Sequence, residues 1–562
     1  MLKILLGQRP YKFSIIYAQK FENQLFVIKK TSLPLLAFFG LMWLACNLKQ
    51  VPKATVPGTA SFALYSDPHR PKFHFSPPVG WMNDPNGMVF YEGEYHLFYQ
   101  FYPGATVWGP MHWAHAVSKD MVHWEHLPIA LYPDSLGYIF SGSAVVDWNN
   151  RSGFGKAGKP PLVAIYTYHN MVAEKAGRKG YQSQAIAYSN DRGRTWTKYS
   201  GNPVIPNTDL LPDFRDPKVI WDETSKQWVM ALAVKDHLQL WGSKDLKTWE
   251  YLSNFGKTSG THQGVWECPD LFPMRVNGQE KWVLLVNINP GGPTGGSGNQ
   301  YFVGSFDGKN FSLDPDFAPS VRDEKAVWLD HGSDNYAGVT WSDVPQKDGR
   351  RLFMGWMSNW DYATVVPTQL WRSSMTLPRS LELKETAAGY RVFSQPVKEL
   401  EKLRTRSYAL KKMELEGMLD LSDKLGFTPT LSEIVLEVEL PENVSTSFGI
   451  EVSNNQNERY RVGYNCTKKA FFSDRLQAGD ASFSNKFLSG VHFAPRLVDH
   501  KTLRIHVFFD AASVELFADD GATVMTDIFF PKQDYNRLRL FSEGGKVVLT
   551  KGDFYQLKSI WK

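Results

Sequence analysis

The stretch Ser189-Asn190-Asp191-Arg192-Gly193-Arg194-Thr195-Trp196 decides the fold of this chain, because similar turns recur along the sequence. It is a polar turn that leads to an aromatic residue, whose ring can fill the space between two neighbouring sheets. Successive copies begin 71, 54 and 62 residues apart, which leaves room for four strands in each repeat. The other copies are Ser118-Lys119-Asp120 leading to Trp124, Ser243-Lys244-Asp245 leading to Trp249, and Ser305-Phe306-Asp307-Gly308 leading to Phe311.

Turns at this spacing predict a β-propeller with one copy of the turn in each four-stranded blade. The runs between the turns are aromatic and aliphatic and are bounded by Gly, Pro, Asp or Asn, as expected of strands. No amphipathic helix competes with them. The four copies and a last predicted sheet near Leu352–Met357 give five blades within residues 72–395. The alternative is four coincidental Ser-x-Asp turns in unrelated loops.

The character of the sequence changes after Pro396. Val397–Arg404 is charged and is predicted to be a short linker helix. Further on, runs such as Leu503–Phe509 alternate with a period of two residues, and Asp519-Asp520-Gly521 marks a hairpin. We therefore predict an all-β chain in which the five-bladed propeller is followed, in residues 396–562, by the linker helix and a β-sandwich.

Residues 1–46 are predicted to be a signal segment, since Lys29-Lys30 precede an apolar run that is too short to span a bilayer. The segment ends in Trp43-Leu44-Ala45-Cys46, which resembles a bacterial lipobox except for Trp in place of the usual Leu. Cys46 would then be the lipidated first residue of an exported cell-envelope lipoprotein, and residues 47–71 its spacer. The alternatives are an uncleaved anchor, or a signal cut further on that gives a periplasmic or secreted protein.

The net charge of +5 comes from residues 1–45, which hold six Lys or Arg and one Glu, so the rest of the chain is neutral. A neutral protein offers no electrostatic case for binding nucleic acid, and a neutral polysaccharide is a better partner. A membrane would be contacted only through the possible lipid anchor.

Cysteine and histidine give no sign of a metal site or cofactor. Cys268 and Cys466 fall in different predicted domains, so we expect no disulfide between them. No Cys/His cluster has zinc-like spacing. His112 and His115 lie three residues apart without a carboxylate at ligand spacing, and we interpret them as packing or hydrogen-bonding residues.

Three acidic motifs stand near the starts of predicted blades, and each contains a proline. A propeller brings the first strand of every blade to the central axis, so the three acidic groups can converge at one end of the channel. Each motif alone is more simply a turn with a structural salt bridge, but the three together predict one site. The motifs are Trp81-Met82-Asn83-Asp84-Pro85-Asn86-Gly87, Phe214-Arg215-Asp216-Pro217 and Trp266-Glu267-Cys268-Pro269-Asp270.

The neighbouring residues in the sequence suggest that the carboxyl groups of Asp216 and Glu267 have different pKa values. Arg215 is expected to keep Asp216 ionised, whereas the Trp/Cys/Pro setting of Glu267 is expected to desolvate it and raise its pKa. Two carboxyl groups with separated pKa values meet the requirements of glycoside hydrolysis. Glu515, in the predicted sandwich, is interpreted as a structural carboxylate.

The three motifs resemble those of glycoside hydrolase family 32, the invertases, inulinases and levanases. Phe140-Ser141-Gly142-Ser143 and the run Val507–Phe517 are also similar to this family, so the resemblance covers nearly the whole exported chain. It implies a retaining glycosidase that releases fructose from fructans or sucrose without a metal or cofactor. Asp84 would be the nucleophile, Glu267 the acid/base and Asp216 the transition-state stabiliser.

The resemblance also implies a set of substrate-binding residues around the terminal fructose. Amide and guanidinium groups suit a diol, and Trp rings suit stacking. A core position is the alternative for Trp108 and Trp360. The set is Trp81, Asn83, Gln100, Trp108, Phe140, Ser141, Arg215 and Trp360.

Three other functions stay open at this point. An endo-acting levanase would differ in the loops around the pocket mouth, and a fructosyltransferase would pass the same intermediate to a sugar. A surface glycan-binding protein without turnover is the alternative from another class. The presence of Asp84, Asp216 and Glu267 together argues against such a binder, which has no need of all three.

Overall fold

The computed structural model describes residues 65–441 and 445–561. The predicted signal segment with its Cys46 therefore lies outside the described residues, as does most of the predicted spacer. No helix in the described part of the chain is long and apolar enough to cross a membrane.

The last residues of the predicted spacer pack on the rest of the protein. The ring of Tyr65 stacks on the ring of Trp561 with 4.1 Å between their centroids. The indole of Trp561 in turn donates a hydrogen bond to the carbonyl of Pro71. Tyr65 and Pro71 thus belong to the folded body, and both contact Trp561 near the C-terminal end of the chain.

Five antiparallel sheets make up the first part of the described chain. Their inner strands contact one another in a closed ring, which makes them the blades of a five-bladed propeller and confirms the predicted fold. The strands are, in blade 1, β1 (Gly80–Tyr91), β2 (Glu94–Tyr102), β3 (His112–Ser118) and β4 (Trp124–Leu131); in blade 2, β5 (Tyr138–Val146), β6 (Leu162–His169), β7 (Gln182–Ser189) and β8 (Thr197–Lys198); in blade 3, β9 (Phe214–Asp222), β10 (Gln227–Val234), β11 (His237–Ser243) and β12 (Glu250–Phe255); in blade 4, β13 (Val265–Val276), β14 (Gln279–Asn289), β15 (Gly298–Phe306) and β16 (Phe311–Leu313); and in blade 5, β17 (Tyr336–Thr340), β18 (Arg351–Met357), β20 (Ser374–Met375), β21 (Arg379–Thr386) and β22 (Gly389–Pro396), while β19 (Trp371–Arg372) runs parallel to β1.

The repeated turns occur once in each of blades 1 to 4, as the spacing predicted, and join the third and fourth strands there. In blade 2 the carboxylate of Asp191 accepts a hydrogen bond from the backbone N–H of Thr195. The ring of Trp196 meets the edge of Phe98 in blade 1, with 5.4 Å between centroids. The aromatic residue of this turn therefore fills the gap between two blades. Blade 5 has a different turn between its last two strands.

The remaining strands form a two-layered β-sandwich, as predicted. The long strand β33 belongs to both layers: its first half pairs with β26 and its second half with β25. The strands are β23 (Arg404–Leu410), β24 (Met413–Asp420), β25 (Ser432–Glu439), β26 (Ser447–Ser453), β27 (Arg459–Asn465), β28 (Ala470–Gln477), β29 (His492–Pro495), β30 (Thr502–Asp510), β31 (Ser513–Ala518), β32 (Thr523–Ile528) and β33 (Arg537–Leu557).

Helices are short and few among the described residues. The α-helices are α1 (Met171–Lys175), between β6 and β7, and α2 (Ser422–Leu425), between β24 and β25. There are also 3-10 helices at Ala318–Val321 and Lys398–Leu403, and the second one lies within the predicted linker helix.

A buried ionic cluster joins the propeller to the sandwich. Arg379, on blade 5, donates to Asp330 and to Glu515 of the sandwich. Glu515 also contacts one ring nitrogen of His74, whose other nitrogen contacts Asp510. All five side chains are almost fully shielded from solvent. Glu515 is therefore a structural carboxylate, as the sequence suggested.

The structure describes the surroundings of Cys268, Cys466, His112 and His115. Cys268 and Cys466 are both buried and are not joined by a disulfide. His112 contacts the carbonyl of Pro110, and His115 contacts the ring nitrogen of His96. Across residues 65–441 and 445–561, no group of His, Cys, Asp or Glu side chains has the arrangement of a metal site.

Candidate active site

Each of the five inner strands contains a β-bulge near the same end of its blade. In each bulge, two consecutive residues oppose a single residue that lies two or three positions before the end of the second strand. Such a bulge turns both of its side chains out of the regular alternation. The bulges are Asn83-Asp84 opposite Gln100, Phe140-Ser141 opposite Thr167, Asp216-Pro217 opposite Leu232, Cys268-Pro269 opposite Val286, and Ala337-Gly338 opposite Gly355.

The acidic motifs thus lie inside the inner strands rather than before them. The reason is the position of the prolines. The inner strands β9 and β13 are edge strands of their blades, and Pro217 and Pro269 sit in bulges, where a missing N–H leaves no ladder bond unmade. Asp216 and Cys268 adopt positive φ angles of 65° and 42°, as the sharp local bend requires.

Residues of the bulges in blades 1, 2 and 3 line a cavity of about 250 Å³. All three predicted carboxyl groups line it, and seven of the eight predicted substrate-binding residues do so too. Trp81 is the exception. The lining residues are Asn83, Asp84, Gln100, Trp108, Phe140, Ser141, His169, Glu174, Tyr181, Gln182, Asp213, Arg215, Asp216, Glu267 and Trp360.

Asp84 is held by three side-chain donors. Asn83 donates to one carboxylate oxygen at 2.9 Å, and Ser141 donates to the other at 2.5 Å. The thiol of Cys268 lies 3.5 Å from the second oxygen. Burial raises the pKa of Asp84 above its ordinary value, while the hydrogen bond from Ser141 acts in the opposite direction. These bonds also fix the direction in which the carboxylate points.

Asp216 lies beside the same thiol. Its carboxylate accepts a hydrogen bond from the backbone N–H of Cys268 at 3.0 Å, and the thiol is 3.6 Å away. Burial raises the pKa of Asp216 to about 7, because the attraction of Arg215 only partly offsets it and the nearby carboxylates add to it. The prediction that Arg215 keeps this group ionised is therefore wrong, because the guanidinium serves other carboxylates as well.

Arg215 connects the acidic groups of the cavity. Its guanidinium donates to Glu267 at 2.9 Å and to Asp213 at 2.5 Å, while Asp216 is 3.9 Å away. The other oxygen of Glu267 accepts a very short hydrogen bond from Tyr336. The surroundings of the Glu267 carboxylate are therefore polar, and the predicted apolar Trp/Cys/Pro setting is wrong. Strand alternation turns Trp266 into the hydrophobic core instead.

Trp81 supports the cavity from behind. It is fully buried, and its indole N–H donates to the Asn83 side chain at 2.7 Å. Its ring also stacks on Trp360 with 5.8 Å between centroids. The prediction of a direct substrate contact is not met by Trp81, because Asn83 and Trp360 lie in front of it.

Several lining residues were not identified from the sequence. Asp213 stands two positions before Arg215, and this closeness to the second acidic motif is the sequence signal that could have identified it. Tyr336, which donates to Glu267 but does not line the cavity, was also not identified; it belongs to the inner strand of blade 5, where no acidic motif marks the bulge. The others, His169, Glu174, Tyr181 and Gln182, lie at the ends of β6 and β7 and in their connection, and no short motif indicates them.

Comparison with known proteins identifies the family of the chain. Residues 74–396 match the profile "Glycosyl hydrolases family 32 N-terminal domain", and residues 399–556 match "Glycosyl hydrolases family 32 C terminal". The chain belongs to glycoside hydrolase family 32. As a member of this family it is a glycosidase, and the predicted resemblance to the family is confirmed.

Relatives within family 32 align over most of their length. A levanase of Bacillus subtilis is 47% identical over 505 residues, which are 89% of this chain and 72% of the relative. An extracellular exo-inulinase of Aspergillus niger is 39% identical over 538 residues, or 92% of this chain and 99% of the relative. The crystal structure of an exo-inulinase from Aspergillus awamori superposes with a TM-score of 0.80 at 37% identity, covering 88% of this chain and all of that one.

Proposed function

We propose that this family 32 glycosidase releases terminal fructose from β-fructans or sucrose through a covalent fructosyl-enzyme. One observation carries the proposal: Asp84, Asp216 and Glu267 come from the inner strands of three different blades and line the same small cavity. The levanase and exo-inulinase relatives support fructans as substrates.

Asp84 is the nucleophile. It is the carboxylate whose direction is fixed by Asn83 and Ser141. One oxygen attacks the anomeric carbon of fructose while Glu267 donates a proton to the departing glycosidic oxygen. Water then attacks the fructosyl ester, and Glu267, now ionised, takes a proton from that water. The reacting groups are carboxyls and water, so no metal or cofactor is needed.

Asp216 and Arg215 bind the fructose hydroxyls. The carboxyl groups of Asp213, Asp216 and Glu267 surround the guanidinium of Arg215, and burial raises the pKa of Asp216 to about 7. Sugar hydroxyls that donate to Asp216 favour its ionised form. Substrate binding therefore stabilises the carboxylate form of Asp216.

The size of the cavity supports terminal release. A volume of about 250 Å³ is below the roughly 300–1,000 Å³ of most ligand pockets, and it suits one sugar unit. Asn83, Gln100, Ser141 and Arg215 supply hydrogen bonds to that unit, and Phe140, Trp108 and Trp360 supply its aromatic walls.

Product analysis tests the proposed function. The protein is incubated with levan, inulin and sucrose, and the early products are separated by chromatography. Fructose without intermediate oligosaccharides is expected from both polymers. A ladder of oligosaccharides would establish endo action and contradict terminal release, and the absence of products from all three substrates would overturn the proposed function.

The enzyme acts outside the cytoplasm and is held to the cell envelope by a lipid on Cys46. The relatives described as extracellular support export, and the lipobox-like sequence 43–46 supports the anchor. Mass spectrometry of the mature protein is expected to find Cys46, with acyl chains, at its N-terminus. A mature N-terminus at another residue would contradict the anchor and leave export intact.

A further inference from the structure

The end of the propeller axis opposite the catalytic cavity carries an exposed tryptophan. The cavity lies near the start of β5, at Phe140-Ser141, whereas Trp148 follows the end of the same strand. At about 3.3 Å per residue, roughly 20 Å of extended chain separates Ser141 from Trp148. Trp148 is 59% exposed, and it is the one exposed tryptophan among the described residues. It therefore lies outside the catalytic site.

The indole of Trp148 is held in place although it is exposed. Its N–H donates to one carboxylate oxygen of Asp343 at 2.8 Å, and the other oxygen of Asp343 accepts from the backbone N–H of Val146. The ring also contacts the ring of Tyr91, with 5.9 Å between centroids. A side chain that is already ordered loses little conformational freedom when a ligand binds. Trp148 therefore presents a fixed aromatic face to solvent.

The turn that carries Trp148 is fixed as well. Asp147 is fully buried, and its carboxylate accepts hydrogen bonds from the backbone N–H groups of Arg151 and Ser152. The guanidinium of Arg151 lies over the ring of Trp221 in blade 3, 4.4 Å from its centroid. The four residues Trp148-Asn149-Asn150-Arg151 are all exposed. We call these four residues the axial turn.

The axial turn has the composition of a sugar-binding surface. An indole face can pack against the apolar side of a sugar ring, while amides and a guanidinium can bind pairs of hydroxyl groups. The catalytic cavity contains the same kinds of group, in Trp108, Asn83, Gln100 and Arg215. The axial turn thus repeats the sugar-binding chemistry of the cavity on the opposite end of the propeller.

A sugar fits this surface better than a protein partner does. In the turns that follow the inner strands of the five blades, all within the described residues, Trp148 is the one large apolar residue that is exposed. A stable protein interface covers about 800 Å² on each partner and has several apolar residues at its centre. A single ring flanked by three polar side chains is closer to the size of one or two sugar units.

We propose that the axial turn binds sugar units of a β-fructan chain at a distance from the catalytic cavity. The inference rests on the proposed function, which identifies the polymer. A polymer bound at the axial turn stays near the enzyme between turnovers, and this raises the effective concentration of its chain ends at the cavity. Sucrose is too small to contact both surfaces, so its turnover does not depend on the axial turn.

Affinity electrophoresis tests the axial turn without turnover. The Asp84→Asn protein is run through native gels that contain levan, inulin or dextran, and its retardation gives the dissociation constant for each polymer. Trp148→Ala or Asn149→Ala is then added to this background. Tyr251→Ala is the matched control, because Tyr251 is an aromatic residue with 48% exposure on the outer strand β12 of blade 3. Thermal melting identifies a misfolded variant, and Asn149→Ala keeps the test available if Trp148→Ala does not fold.

Loss of the stacked ring in Trp148→Ala predicts a dissociation constant for a fructan that is roughly threefold to tenfold higher. Asn149→Ala is expected to raise it less, and Tyr251→Ala to leave it unchanged. In the active enzyme, Trp148→Ala should leave kcat/KM on sucrose unchanged.

Unchanged retardation in the folded axial-turn variants, an equal change in Tyr251→Ala, or equal retardation by dextran and by the fructans would overturn the inference. A fall in kcat/KM on sucrose in Trp148→Ala would assign the effect to the cavity and would also overturn it. A wild-type protein inactive on sucrose, levan and inulin would overturn the proposed function, and the retardation measurement does not depend on that activity.

Discussion

At the residue scale, the distinctive feature of the site is that its carboxyl groups outnumber its positively charged groups. Arg215 is the one cation that contacts Asp213, Asp216 and Glu267 among the described residues. Burial raises the pKa values of Asp84 and Asp216, so their ionisation depends on individual hydrogen bonds. The donors to each carboxylate therefore set the pH range in which the enzyme works.

The variant Ser141→Ala tests this dependence. Ser141 donates to Asp84 and lowers its pKa, so its removal raises that pKa further. Since Asp84 must be ionised to attack, the acidic limb of kcat/KM against pH is expected to move upward by about one unit. The measurement is a pH profile on sucrose. Ser118→Ala, in the turn of blade 1, is the control, and an unmoved acidic limb in Ser141→Ala would contradict the account.

At the element scale, the β-bulges explain which parts of the site could be predicted. Asp84, Asp216 and Glu267 could be identified from the sequence because a proline follows each of them within two residues. A proline in an inner strand marks a bulge. Phe140-Ser141 and Ala337-Gly338 form the same bulge without proline, so only the family resemblance indicated the first, and nothing indicated the second. The protonation of the carboxyl groups could not be predicted because it depends on contacts between blades.

The loop after β18 presents Trp360 to the cavity and is held by the sandwich. Tyr362, two residues on, donates to Asp334 and receives a hydrogen bond from Arg475 of β28. Its ring also packs against Phe487 of the sandwich. The sandwich thus contributes to the cavity wall through a loop of the propeller.

The variant Tyr362→Phe is expected to loosen Trp360 without changing the reacting groups. The ring packing stays, and Arg475 remains paired with Asp334 at 2.8 Å, so the fold is retained. The loss of both hydrogen bonds of the Tyr362 hydroxyl predicts a rise in KM for sucrose of about twofold to fivefold, with kcat nearly unchanged. Tyr460→Phe is the matched control, since Tyr460 is also buried and hydrogen-bonded, but within the sandwich. Equal effects of the two variants would contradict a specific role for the loop.

At the scale of the whole molecule, the propeller and sandwich are joined by buried charges. The histidine of the cluster, His74, has a pKa raised to about 9 and is protonated at lower pH. Burial disfavours its charged form, but hydrogen bonds to Asp510 and Glu515 outweigh burial and raise the pKa of His74 to about 9. The pKa of Asp510 is lowered by the same pair, although burial opposes this. The interface is therefore sensitive to alkaline pH.

A titration of stability tests the state of His74. A folded pKa of about 9 against an ordinary value of 6.5 means that the stabilisation is complete below pH 6.5 and is lost as the pH rises through 9. The contribution amounts to about 3 kcal/mol at most. Urea unfolding of the wild type is expected to show falling stability across that window, and His74→Gln a flatter dependence. Parallel curves would contradict a protonated His74.

The overall architecture was predictable because it repeats. The Ser-x-Asp turns and the aromatic residues after them recur in four blades. The alternation of apolar and polar residues with a period of two distinguishes the strands of the sandwich from those of the propeller. The role of the cluster around Arg379 was not predictable, because its members are separated by up to 441 positions and each alone resembles an ordinary surface charge. Tertiary packing, not local pattern, makes them buried partners.

The activity of Asp84→Asn tests the central claim most directly. The amide retains the size of the side chain but cannot attack the anomeric carbon, so kcat on sucrose and levan is expected to fall by on the order of 10⁴-fold. The melting temperature should stay close to that of the wild type, since the neighbours of Asp84 remain in place. A folded Asp84→Asn variant that releases fructose within about tenfold of the wild-type rate would contradict the assignment of Asp84 as the nucleophile.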